Sequence, residues 1–92
     1  MRYNPKNFKM HDFYCPNCGQ KNLSVLRSRG QMRKVEHRKV MYCPHCKLTL
    51  NMIECRNDEE AYLFKERFEL GYYEQEVKED LEFMEKVMKH EN

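Results

Sequence analysis

The 92-residue sequence predicts an α+β chain. A three- to four-stranded antiparallel sheet closes around one tetrathiolate metal, and a helical C-terminal segment follows. Three observations predict it. Cys15-Pro16-Asn17-Cys18 and Cys43-Pro44-His45-Cys46 are matched C-x-x-C pairs separated by 24 residues. The stretches around them are rich in β-formers that alternate in part, as in short strands. Past Asn57 the charge changes sign and the apolar spacing becomes helical.

Two C-x-x-C pairs at this separation suit four thiolates closing tetrahedrally on one Zn²⁺, with Cys15, Cys18, Cys43 and Cys46 as ligands. Only 40% of the residues are hydrophobic. A chain this small buries too little apolar surface to be comfortable without a staple. A structural metal supplies one, because its binding energy is folding energy. Pro16 and Pro44 fix the two knuckle turns, Gly19 permits a tight exit from the first, and Lys47 holds the equivalent place in the second. Cys55 is the odd thiol and is expected as a small apolar residue on a strand.

The elements follow in order. Residues 1–9 form a polar, basic stretch, expected as a flexible arm. Residues 10–57 form the metal-binding unit. Asp12-Phe13-Tyr14 leads into the first knuckle; residues 22–28 carry Leu23, Val25 and Leu26; residues 35–42 carry Val35, Val40, Met41 and Tyr42. Residues 47–54 place Leu48, Leu50 and Met52 on one face, as a half-buried strand does. The midpoint between Cys18 and Cys43 falls on Gly30-Gln31, which predicts a hairpin with a type II′ turn there. Residues 58–92 are the acidic amphipathic segment. Asn57 followed by Asp58-Glu59-Glu60 predicts a capped helix start. Ala61, Phe64 and Phe68 share one face; after Gly71, Tyr73, Val77, Leu81, Met84 and Met88 form a second stripe. The change of stripe at Gly71 predicts a helix pair or a kinked helix.

Charge divides the chain. Residues 1–57 carry twelve Lys/Arg against Asp12, Glu36 and Glu54, a net of +9; a Zn²⁺ with four thiolates lowers it to +7. Residues 58–92 carry five basic and twelve acidic residues, a net of −7. Arg27, Arg29, Arg33, Lys34, Arg38 and Lys39 fall within thirteen residues at the expected hairpin tip, a density that suits phosphate contacts. Tyr72, Tyr73, Phe83, Met84 and Met88 are candidate anchors for a protein partner on the helical segment.

Some classes are set aside. The polar start and the lack of any run near ~20 apolar residues argue against a signal peptide and a membrane span. Cysteines in metal spacing without a secretory leader predict a cytoplasmic location. Cys43-Pro44-His45-Cys46 also reads as a thiol oxidant motif, but that chemistry needs a βαβ context, and here β-like text lies on both sides. Iron suits an S₄ tetrahedron as well, and is the competing metal. His11, His37, His45 and His90 have no carboxylate or serine pattern around them in sequence, so no enzyme is expected.

The knuckles are a zinc-ribbon signature over about residues 12–55. Within that class, Cys-Pro-Asn-Cys-Gly-Gln-Lys and Tyr42-Cys-Pro-His-Cys-Lys47 are similar to the small ribbons of Gram-positive phages and mobile elements, including the cysteine-rich KTR type. Arg27-Ser28-Arg29 also resembles the stretch after the first knuckle of Ogr/Delta-like phage activators, which use a wider second cysteine spacing. Transcript-cleavage ribbons carry an acidic pair at the hairpin tip; here the tip is Arg29-Gly30-Gln31-Met32-Arg33-Lys34, which argues against that activity. The resemblance implies a small zinc-binding protein that contacts nucleic acid or a nucleic-acid-bound protein complex through a basic hairpin. The alternative is an inhibitor or adaptor that binds a host complex, such as a defence nuclease or polymerase, without touching nucleic acid.

Overall fold

The structure is a computed structural model that describes residues 8–28, 30, 34 and 36–90. Its elements are β1 (Phe8–Tyr14), β2 (Lys21–Ser28), β3 (Arg38–Cys43), β4 (Leu48–Cys55), α1 (Asp58–Glu69) and α2 (Glu74–His90). The four strands form one antiparallel sheet in the order β2-β1-β4-β3.

That order corrects the expected hairpin. β2 and β3 do not pair around Gly30-Gln31; they are the two edges of the sheet. Each C-x-x-C knuckle is itself a hairpin turn. The first joins β1 to β2, with Phe13 opposite Leu23 and Tyr14 opposite Lys21. The second joins β3 to β4, with Cys43 opposite Leu48. Adjacent strands joined by a tight turn pair at the least loop-closure cost, and this outcompetes a pairing across the long middle segment. β1 begins at Phe8, so Phe8 and Lys9 belong to the sheet rather than to the arm. The arm's residues 1–7, together with Gln31 and Val35 of the expected hairpin, lie outside the described residues.

The inner pair β1·β4 is short, with Asp12 opposite Cys55, Phe13 opposite Glu54 and Tyr14 opposite Ile53. At the knuckle end the two edges approach each other, and Asn22 Nδ2 donates to the Tyr42 carbonyl at 2.9 Å. Phe13, Leu50 and Met52 share one face and form a buried cluster with Cys15 and Cys43, which Val77 of α2 also joins. Tyr14, Ile53 and Cys55 are buried on the other with Phe64 and Tyr73. β4 is therefore buried on both faces, not half-buried, because the helices cover its second face.

The C-terminal segment is two helices. Asn57 caps α1 by accepting from the Glu60 N–H at 2.9 Å, and Glu60 reaches back to the Arg56 N–H and guanidinium. α1 ends in a Schellman arrangement: Gly71 N–H bonds Phe68 O at 3.1 Å and Tyr72 N–H bonds Arg67 O at 2.9 Å, with Gly71 at φ 76°. α1 seats Phe64 among Tyr14, Ile53 and Tyr73. α2 is fixed along the sheet by Val77 and Leu81, by the Arg38–Glu76 ion pair and by Asn51 donating to Asp80 at 3.1 Å. Glu36 and Arg67 also join the two charged halves, with the signs reversed. Among the described residues, no helix is long and apolar enough to cross a membrane.

Candidate metal centre

The two knuckles have the same backbone. Gly19 N–H bonds Cys15 O at 2.8 Å, and Lys47 N–H bonds Cys43 O at 2.7 Å. The exit residues Gly19 and Lys47 are both left-handed, at φ 75° and 58°. A left-handed residue after the second cysteine turns the chain back into the returning strand, which glycine does freely and lysine at a cost.

The first cysteine of each pair, Cys15 and Cys43, is fully buried; Cys18 and Cys46 are half-buried. The sulfurs meet crosswise, Cys15 Sγ to Cys46 Sγ at 3.7 Å and Cys18 Sγ to Cys43 Sγ at 3.8 Å. Four sulfurs about 2.3 Å from a central ion stand about 3.8 Å apart along each edge of the tetrahedron. The spacing thus fits one thiolate-bound ion, and all four sulfurs lie within 4.8 Å of one another. Among the described residues this is the one such group.

Burial holds the Cys15 and Cys18 thiols up, and of these sulfurs Cys43 is the one that its surroundings lower. Burial pushes the Cys15 thiol up, against the Cys18 and Asn17 backbone N–H groups. At Cys43 burial also acts upward, but the Cys46 and His45 backbone N–H groups and the Cys15 and Cys18 side chains prevail and lower it. Asn17 Nδ2 donates to Cys46 Sγ at 3.2 Å, tying the first knuckle to a ligand of the second. Four clustered sulfurs ionise together only around a cation, so metal binding and thiol deprotonation are one event here. Cys55 lies apart, 3% exposed on β4; burial first, then Glu60 and Asp12, push its thiol up to about 12.

The six basic candidates are not one surface. Arg27 turns inward, 8% exposed, and its guanidinium meets both oxygens of Glu54 at 3.1 and 3.2 Å. Arg38 pairs with Glu76 and lies over the Tyr73 ring. Lys34 and Lys39 are exposed, and Arg29 and Arg33 lie outside the described residues. Of the helical candidates, Tyr72 and Phe83 are exposed and Met84 is half-buried. Tyr73 is a core residue, stacked on Phe64 at 5.2 Å, so it has no surface to offer a partner. Met88 sits near the end of α2 with its side chain outside the described residues.

One cluster has no counterpart among the sequence expectations. Glu54 is fully buried and receives Arg27, His11 and His37. His37 Nδ1 lies 3.1 Å from Oε1, and His11, itself fully buried, contacts Oε2 through Nδ1. Burial acts to raise the carboxyl, yet the hydrogen bonds from His11, Arg27 and His37 prevail and hold it below the usual range. Nε2 of His11 is buried without a hydrogen-bond partner. The signal in the sequence is parity: Glu54 shares the face of Leu50 and Met52, which an unpaired acid would not occupy. Comparison of the chain with protein-family models, curated proteins and solved structures finds no match.

Proposed function

We propose that the chain is a non-enzymatic zinc module that contacts nucleic acid, or a complex already bound to it, through the basic segment between β2 and β3. The observation that carries the metal part is the crosswise 3.7 and 3.8 Å sulfur spacing at two matched knuckles. Four cysteines leave no open coordination position for chemistry, so the ion is structural. The nucleic-acid part is supported by charge. Residues 29–34 carry Arg29, Arg33 and Lys34 in sequence with no acid among them, and Lys39 is exposed on β3. The similarity of the knuckle motifs to small phage ribbons points the same way. The helical acids neutralise few of the sheet's cations among the described residues: Glu76 pairs with Arg38, and Glu60 with Arg56.

The test is binding of random DNA and RNA by the zinc-loaded chain at several salt concentrations. Replacing Arg29, Arg33 and Lys34 with Ala is expected to weaken binding for unrelated sequences. It also flattens log K against log salt by about 0.7–0.9 for each phosphate no longer neutralised. Absence of any affinity at low salt overturns the reading in favour of a protein-binding adaptor, for which exposed Tyr72 and Phe83 are the available anchors.

A further inference from the structure

The first knuckle and the turn between the two helices border a cavity of about 220 Å³. Pro16 and Asn17 line it from the knuckle, Phe68 from α1, and Gly71, Glu74 and Val77 from around the start of α2. Tyr73 and Val77, both core residues, close its base. The walls are held in place by packing outside the cavity. Phe68 lies so close on the knuckle that a Cβ at Gly19 would stand 2.7 Å from its ring. Gly71 leaves room for the Glu74 carboxyl over its bare backbone, since a Cβ there would stand 3.1 Å from that carboxyl. Glu74 is the charged side chain of the lining, and its carboxylate has no ion-pair or hydrogen-bond partner among the described residues. Asn17 Nδ2 bonds Cys46 Sγ, and its Oδ1 is a second acceptor without a partner among the described residues. The acids of the first turn of α2, Glu74 and Glu76, already answer the positive end of the helix dipole, so that end does not call for an anion.

We propose that this cavity binds a small organic ammonium with an apolar body. The charge lies between the Glu74 carboxylate and Asn17 Oδ1, and the body packs against Pro16, Phe68 and Val77. Both sides of the cavity favour a cation. Glu74 is unpaired on one side. On the other, Pro16 and Asn17 sit between the ligands Cys15 and Cys18, and four thiolates with one Zn²⁺ sum to −2. Phe68 adds an aromatic wall, whose face attracts an ammonium. The space equals that of about seven waters at ~30 Å³ each, which suits an ammonium on a short aryl or alkyl stem. A bare metal cation fits poorly, because one carboxylate and one amide oxygen are too few hard ligands and the other walls are apolar. A free amine and a lysine side chain of another protein share the proposed chemistry. The proposal goes beyond nucleic-acid binding and does not rest on it.

The test is titration of the full zinc-loaded chain with phenethylammonium, followed at the Gly71 and Asn17 amides in proton–nitrogen correlation spectra. A blocked lysine, N-acetyl-lysine N-methylamide, is the second probe, and phenethyl alcohol is the neutral control. Saturable shifts at both residues are expected, with a dissociation constant of about a millimolar for at least one ammonium. The alcohol is expected to bind about fivefold more weakly than phenethylammonium. Tighter binding of the aryl amine assigns the cavity to a free amine; tighter binding of the blocked lysine assigns it to a lysine of a protein partner. Glu74→Gln weakens ammonium binding by about fivefold, and Glu74→Lys, which places a competing charge at the site, abolishes it. Glu82→Gln makes the same change in net charge as Glu74→Gln but outside the cavity lining, and leaves binding unchanged. Glu74 and Glu82 are exposed, so zinc content and circular dichroism stay constant in all three variants. Absence of shifts at Gly71 up to about 20 mM of either ammonium overturns the proposal. So does equal binding of the alcohol, or a loss with Glu82→Gln as large as with Glu74→Gln.

Discussion

Arg27 and His37 converge on one carboxylate, that of Glu54, from the two ends of the segment that links the sheet's opposite edges. Arg27 is next to last in β2, and His37 directly precedes β3. One buried acid therefore closes the base of the basic segment, with His11 of β1 as its third ligand.

Removing that acid is expected to be costly. Glu54→Ala leaves the buried Arg27 guanidinium unpaired, and the loss is about 3–5 kcal/mol in denaturant unfolding of the zinc-loaded protein. Glu54→Gln keeps the shape and most hydrogen bonds and costs less. A near-neutral Glu54→Ala contradicts the clamp.

The same group sets a pH dependence. Its folded pKa lies below the ordinary value of 4.5, so its contribution is fully present above 4.5 and is lost as pH falls through the lower folded value. Zinc release by thiolate protonation also acts in acid. The comparison is accordingly between wild type and Glu54→Gln at equal zinc occupancy, and wild type is expected to lose its advantage over the variant in that acid window. A constant advantage across it would show that Glu54 does not titrate as described.

Zinc is expected at one ion per chain by native mass spectrometry. Cys43→Ser abolishes it and unfolds the sheet, since Cys43 is fully buried in the core cluster. Two ions per chain, or none, defeats the four-sulfur assignment.

Cys55→Ser is expected to keep full zinc stoichiometry. The serine hydroxyl enters the apolar cluster of Tyr14, Ile53 and Phe64, so a cost of about 1–3 kcal/mol is expected in the same unfolding experiment. Loss of metal in this variant would place Cys55 in the ligand set.

The two knuckle exits are expected to respond oppositely. An added Cβ at Gly19 stands 2.7 Å from Phe68 Cε1, and the left-handed backbone adds strain, so Gly19→Ala loosens α1 from the knuckle and destabilises by about 1–2 kcal/mol or more. Lys47 already bears the left-handed cost, so Lys47→Gly gains about 0.5–1 kcal/mol. Equal effects at both sites would refute the assignment of strain to Lys47.

The metal set, the strands expected at residues 22–28, 35–42 and 47–54 and found at Lys21–Ser28, Arg38–Cys43 and Leu48–Cys55, the Asn57 cap and the break at Gly71 are legible in the sequence because each rests on local chemistry: ligand spacing, alternation, a capping side chain, a residue free to turn left-handed. Pairing is not legible. Equal arms about Gly30-Gln31 suggest a β2–β3 hairpin, whereas the partner of β2 is β1, whose strand extends back to Phe8 through a stretch with little alternation. The union of Glu54, His11 and His37 is not legible either, since Glu54 lies 43 positions after His11 and only the folded sheet brings them together. Tyr73 reads as a surface anchor because helical spacing gives a stripe but not the element that covers it.

The strand order has a kinetic consequence. Residues 8–28 and 38–55 are two short-range hairpins, each able to close on its own, while β1 meets β4 only across long chain separation. Each hairpin carries half of a chelate. An ion caught by one turn presents its remaining coordination positions to the other at the high effective concentration set by the linking chain. With capture ahead of the slow long-range step, refolding is expected to accelerate with added zinc until docking of the second hairpin, rather than arrival of the ion, sets the pace.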